Sequence, residues 1–204
     1  MRIALCVGHS RRIDHPGVNA QGSTNDGGAI SADGSTNEWS FWRHIAYMTK
    51  NAIPAWEHDV RVYDVYEGPS YTAAMTDMAS RVRGCDLAIE LHYNAYNGRA
   101  QGREAFYWHS STNGEAFARI LLDVQGRIMG EEEGGGFPFR GVKPATRDTR
   151  GAQFLRKTHA IACLWEPLFG DNIGEWEFYS QRERLLVDTL VESFREWEPY
   201  FLDS

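Results

Sequence analysis

A chain of 204 residues, 42% of them hydrophobic and 13% aromatic, is long enough to bury one substantial core and has the composition of neither a disordered nor a fibrous protein. Its formal net charge of -7, with Lys and Arg scattered along the chain, excludes a nucleic-acid binder, because phosphate recognition needs clustered cations. No segment approaches the ~18 apolar residues of a membrane span, so membrane insertion is not expected. Cys6, Cys85 and Cys163 are widely spaced and each lies in or beside an apolar run, so they read as buried free thiols rather than disulfides or a zinc knuckle.

The opening stretch MRIALCVGHSRRID has too short an apolar run for a secretory leader, so synthesis in a cytoplasm without a signal peptide is expected. Residues 2–7 read as a buried strand, followed by a polar tract over residues 8–37 of the length that functional or disordered loops have. Trp39, Trp42, Ala46 and Ile53 are spaced for one face of a helix over residues 38–53, with Pro54 just past its end. Residues 60–65 alternate as a strand, residues 69–82 suit a helix, and residues 86–91 form the next buried run. A strand over residues 102–108 follows a turn at Asn97-Gly98. Asn113 is placed to cap a helix that carries Phe117, Ile120, Leu121, Val124 and Ile128 on one side, and Gly130 to end it. Residues 131–141 read as a glycine-rich connector, 150–158 as a short helix and 160–165 as the last strand. Leu185, Leu186, Leu190, Phe194 and Trp197 mark a closing amphipathic helix. The alternation predicts a single α/β domain over residues 1–204, with a twisted, mostly parallel sheet flanked by helices on both faces.

Three apolar runs end in an ionisable residue: LCVGH in His9, IELH in His92 and CLWE in Glu166. In a mostly parallel sheet the carboxyl ends of the strands share one edge, where ligands bind, so these three distant residues are expected to meet. Glu38, at the start of the first helix, adds a carboxylate from the same edge. Two imidazoles and a carboxylate suit a catalytic zinc that keeps a fourth position open, and the second carboxylate is then free to act as a base.

Plainer readings stand beside these. Glu38 could be the third-position partner of Ser35 in a capping box, His9 could merely end a strand, and His92 could be a satisfied core histidine. Glu166, after Ile161-Ala162-Cys163-Leu164-Trp165, would pay a large desolvation cost unless paired, protonated or near a cation. His15 lies in the polar tract within possible reach of the crevice, whereas His44, His58, His109 and His159 have no comparable placement.

These residues resemble the zinc-dependent N-acetylmuramoyl-L-alanine amidases of the amidase-3 type, which cleave bacterial peptidoglycan. "VGHS" with the later "HPG" is similar to the family's strand and Pro-Gly loop, and "NEWSFWRHIA" to its ligand-bearing helix start. "RVRGCDLAIELHYNA" resembles the segment that ends His-x-Asn, and "RGVKPATRDTRGAQFLRKTHAIACLWEPLFGDN" the closing block that delivers a glutamate followed by Phe and Asn. The resemblance implies His9, Glu38 and His92 as zinc ligands and Glu166 as the catalytic carboxylate. Three features depart from the family pattern: Glu90 replaces a small hydroxyl residue, His15-Pro16-Gly17 an acidic-Pro-Gly loop, and "WEPLF" a Glu-Thr-Gly-Phe. Glu90 shares a strand face with His92 and is either an acceptor for its imidazole N–H or a partner of Arg81 or Arg83. Asn94 accompanies it as a candidate substrate-binding or supporting residue.

The implied reaction is hydrolysis of the amide between N-acetylmuramic acid and L-alanine, with Glu166 moving the proton. The polar tract and residues 131–141 would rim a groove for the polymer, with Arg140 and Lys143 available to peptide carboxylates. A monomeric phage-type lysin without a separate wall-binding module, acting at the cell wall or periplasm after release, is expected. The alternatives are a zinc peptidase or amidohydrolase acting on a soluble peptide or acyl-amino acid, and a wall-binding protein that has lost turnover.

Overall fold

A computed structural model describes residues 1–9, 27–66, 68, 70–130 and 136–202. His15, Pro16 and Gly17 of the polar tract, and residues 131–135 of the glycine-rich connector, lie outside the described residues. Among the described residues the strands are β1 (Arg2–Val7), β2 (Asp59–Tyr63), β3 (Leu87–Leu91), β4 (Arg103–Trp108), β5 (Phe139–Ala145) and β6 (Ile161–Glu166). They form one sheet in the order β2-β1-β3-β6-β4-β5. The first four strands of that order run parallel, β4 lies antiparallel to β6, and β5 runs parallel to β4.

Helices cover both faces, as the α/β reading required. On one face α1 (Glu38–Ala52), α3 (Thr112–Met129), α5 (Ile173–Ser180) and α6 (Glu183–Leu202) contribute to a core with Ile3, Leu5, Ile89 and Trp165. Trp42 and Trp165 meet in it with ring centroids 5.5 Å apart. On the other face α2 (Tyr71–Arg81) and α4 (Gln153–Lys157) pack on Ala4, Cys6, Ala88 and Leu164. The alternation in each strand dictates this split: Leu87, Ile89 and Leu91 go to the first core and Ala88 to the second, which puts Glu90 on the α2/α4 face. Each fully buried large side chain stabilises by ~1.5–3 kcal/mol, and the cysteines are buried free thiols.

Several expectations change. The connector expected up to residue 141 already enters β5 at Phe139. Its Gly141 and Pro144 obscure it as a strand, but an edge position tolerates Pro because one side of the ladder needs no donor. The α5 helix was not expected; Trp, Phe and Tyr fall all around it, so no one-sided period marks it, and it starts where Asn172 accepts hydrogen bonds from the Gly174 and Glu175 N–H groups. Ser111, not Asn113, caps α3, while Gly130 ends it in the left-handed conformation with φ 62°. The capping box does not form: Asn37 is the cap of α1, Glu38 is its first helical residue, and the Ser35 hydroxyl donates to Asp33.

Candidate metal centre

The β1 strand hands its chain to the site through Gly8, whose N–H donates to the Leu91 carbonyl of β3 at 2.9 Å. His9 then adopts a left-handed backbone, φ 61°, a conformation that non-glycine residues hold only where the surroundings impose it. Gly8 is required here because a Cβ would strike the imidazole of His92. A similar crowding acts at Gly28, φ 73°, where a Cβ would lie 2.6 Å from the His9 ring and 2.7 Å from Glu38 Oε2. Past β3, the His92 N–H donates to the Trp165 carbonyl at 3.0 Å, which continues the β3–β6 pairing beyond the strand end.

These constraints bring His9, Glu38 and His92 together. His9 Nε2 lies 3.1 Å from Glu38 Oε2, and His92 Nδ1 lies 2.8 Å from Glu38 Oε1. The imidazole rings stand edge to face with centroids 5.2 Å apart. One donor atom from each residue falls within 4.8 Å of the other two, so the group could hold a metal ion. The Glu38 oxygens also accept from the Tyr93 N–H at 3.1 Å and the Ala29 N–H at 3.2 Å. Burial opposes the charge on Glu38, but the neighbouring charge of His9 and hydrogen bonds from both imidazoles hold its carboxyl well below the ordinary range. Burial likewise opposes a charged His92, yet Glu90 and Glu38 raise its pKa well above the ordinary value.

Glu166, at the end of β6, lines the same cleft of about 710 Å³ as this trio. Burial raises its pKa to about 8; His92 pulls the value down, while Glu104 and Glu38 push it up. Glu104 did not figure among the sequence candidates. It is buried, faces Glu166 directly across the antiparallel β4–β6 pair, and receives Asn94 Nδ2 at 2.7 Å, while the same nitrogen donates to Glu166 at 2.6 Å. Arg140 Nε donates to Glu104 at 2.9 Å and Lys143 also pairs with it. Both cations expected for substrate carboxylates are therefore engaged by this buried acid. Burial opposes ionisation of Glu104, but hydrogen bonds from Lys143, Arg140 and Asn94 bring its pKa below the ordinary value.

Glu90 is buried with Oε1 3.5 Å from His92 Nε2. Arg81, one of the two arginines considered for it, instead binds Asp77 at 2.8 Å, and among the described residues His92 is the basic group that pairs with Glu90. Elsewhere, His44 pairs with Glu183 and His109 packs on Trp108.

A sequence profile described as N-acetylmuramoyl-L-alanine amidase matches residues 3–190. No curated protein matches the chain by sequence. Among solved structures, the catalytic domain of the CD27L endolysin targeting Clostridia difficile is 26% identical, with a TM-score of 0.69 over 95% of this chain and 96% of that one. The CwlD amidase from Clostridioides difficile, solved in complex with the GerS lipoprotein, superposes with a TM-score of 0.74 at 17% identity, over 100% of this chain and 99% of that one. The catalytic domain of CwlV, an N-acetylmuramoyl-L-alanine amidase from Bacillus (Paenibacillus) polymyxa var. colistinus, gives 0.65 at 16% identity over 96% and 99%. With a family match spanning nearly all of a chain whose sheet edge gathers His9, Glu38, His92 and Glu166, this protein belongs to the N-acetylmuramoyl-L-alanine amidase family.

Proposed function

We propose that this amidase is a zinc enzyme that hydrolyses the amide between N-acetylmuramic acid and L-alanine in peptidoglycan, working at the bacterial cell wall as a monomeric, phage-type lysin. The observation that carries the reading is the convergence of His9, Glu38 and His92 on one point in the cleft that Glu166 also lines. The donor set fits the ion: two imidazoles and one carboxylate are a zinc complement that keeps a position open for catalysis. The cradle fits as well, since side chains at Gly8 and Gly28 would strike the very groups that must converge.

His9, Glu38 and His92 would hold the ion. When bound, zinc supplies a Lewis acid that brings the pKa of a water towards ~7 and polarises an amide carbonyl. Glu166 takes the proton from the attacking water and returns it to the departing nitrogen of L-alanine, a role worth typically ~100- to 10,000-fold. Burial leads the effects that raise the Glu166 pKa to about 8, and a cation held beside it would favour the ionised carboxylate that accepts a proton. Asn94 fixes the orientation of Glu166, and Glu104 fixes Asn94. Glu90 supports His92 from the far side of the ring. Arg140 and Lys143, at the margin of the site, remain within reach of substrate carboxylates if these compete with Glu104.

The test joins elemental analysis of the purified protein to turbidity loss of isolated cell walls before and after chelation. One zinc per chain, lysis lost on chelation, and new amino-terminal L-alanine in the products support the reading. Cleavage within the stem peptide would replace it with a zinc peptidase, and lysis that survives chelation would remove the metal from it.

A further inference from the structure

The cleft does not end at the three donors. It continues behind His92 along the α2/α4 face of the sheet, where Tyr66, Tyr71, Ala74, Phe106, Leu155 and Leu164 line it. Glu90, 2% exposed, belongs to the same lining. One of its oxygens is 3.5 Å from His92 Nε2; the other, Oε2, is buried without a hydrogen-bond partner.

The surroundings leave that oxygen unmatched. Across the sheet Glu90 is flanked by Cys6 on β1 and Leu164 on β6, a weak donor and none. The Tyr71 hydroxyl is directed to the Gly151 carbonyl at 2.8 Å, and Lys157 to Thr76 at 2.8 Å. Among the described residues, His92 is the basic group that pairs with Glu90. A carboxylate on the lining of a cleft, with one buried oxygen that lacks a donor, is a place for a ligand's donor.

We infer that this arm is a subsite for a primary ammonium group carried on an aliphatic chain, such as the side chain of a diamino acid, with Glu90 as its counter-charge. Aromatic and aliphatic walls suit a methylene stem and favour a cation near ring faces. A single unpartnered oxygen suits the compact ammonium rather than the bidentate fork of a guanidinium. The occupant being part of the substrate rests on the amidase reading; the existence of the subsite does not.

Two measurements separate these. In the first, the zinc-loaded protein hydrolyses a muropeptide with a free side-chain amine and the same muropeptide N-acetylated at that amine. The expected result is a KM about 10- to 100-fold lower for the free amine, the range of one charge-assisted hydrogen bond. In Glu90→Gln and Glu90→Ser proteins that keep their circular dichroism and melting transition, the ratio of the two KM values falls to near one, whatever happens to the rate itself. Equal KM values in the unaltered protein, or a ratio that survives Glu90→Gln, would overturn the assignment to substrate. In the second, n-butylammonium is titrated into the zinc-loaded protein and followed by NMR. Saturable shifts at residues lining the arm, lost in Glu90→Gln, support the subsite even if neither muropeptide is cleaved, an outcome that would count against the amidase reading alone. No saturable binding means that Glu90 is merely hydrated, and the subsite is then refuted.

Discussion

Glu104 and Glu166 stand opposite each other on antiparallel neighbouring strands, and one amide nitrogen, Asn94 Nδ2, spans both at 2.7 and 2.6 Å. Two buried acids this close cannot ionise independently, and here Lys143 and Arg140 favour the charge on Glu104. Glu166 is the acid left holding the proton. Replacing Glu104 by Gln removes a negative neighbour that pushes the Glu166 pKa up. Carboxyl-carbon NMR of the metal-free protein should therefore find Glu166 titrating below the value of about 8 in Glu104→Gln. An unchanged midpoint would mean that the pair is not electrostatically linked.

Glu166→Ala removes the proposed proton carrier but none of the three proposed metal donors. Wall lysis should fall by ~100- to 10,000-fold while zinc content by elemental analysis stays at the level of the unaltered protein. Loss of both together would place Glu166 in metal binding instead.

Gly8→Ala tests the close approach of backbone to imidazole. The added methyl would strike the His92 ring, so the ring must turn away from the point it shares with His9 and Glu38. Zinc affinity measured against a competing chelator should drop by at least about tenfold, the size of effect that misorienting a ligand has. The melting temperature of the metal-free protein should change far less than the affinity.

Glu175 supplies a pH effect away from the candidate metal centre. It is fully buried on α5, accepting from the Gly102 N–H at 2.7 Å and the Phe169 N–H at 2.5 Å. Burial dominates and raises its pKa from 4.5 to about 7, against the pull of those two N–H groups. Between these values the folded chain keeps a proton that the unfolded chain releases, so stability falls as pH rises from about 4.5 to about 7. The contribution is at most roughly 3 kcal/mol. Denaturation midpoints of Glu175→Gln should be flatter over that window, even though Gln accepts only one of the two hydrogen bonds well and lowers stability throughout. Parallel pH profiles for the two proteins would exclude Glu175 as the source.

Much of the site was legible in one dimension because polarity at the end of an apolar run is a local signal. His9, His92 and Glu166 each follow a buried strand, and parallel strands necessarily align such ends on one edge. Glu38 was ambiguous in sequence, since the start of a helix offers both a cap and a ligand position. Its register in the fold separates the two: Asn37 takes the cap and leaves the Glu38 carboxylate to the imidazoles.

Glu104 illustrates what the order of residues could not convey. A glutamate at the beginning of a strand points to the wrong edge if every strand runs the same way. Because β4 runs against β6, its first residues arrive where the other strands end, and Glu104 meets Glu166. Strand direction follows from which neighbours pair across the whole sheet, a long-range choice that short-range periodicity does not encode. The same holds for β5, whose edge position alone permits Pro144, and for the engagement of Arg140 and Lys143 by an acid 36 and 39 residues away. From the residues alone came the elements and the chemistry gathered at their ends, because burial period and desolvation cost act locally. Which charges face one another was settled only by tertiary packing, because an ion pair is defined by distance in space and not along the chain.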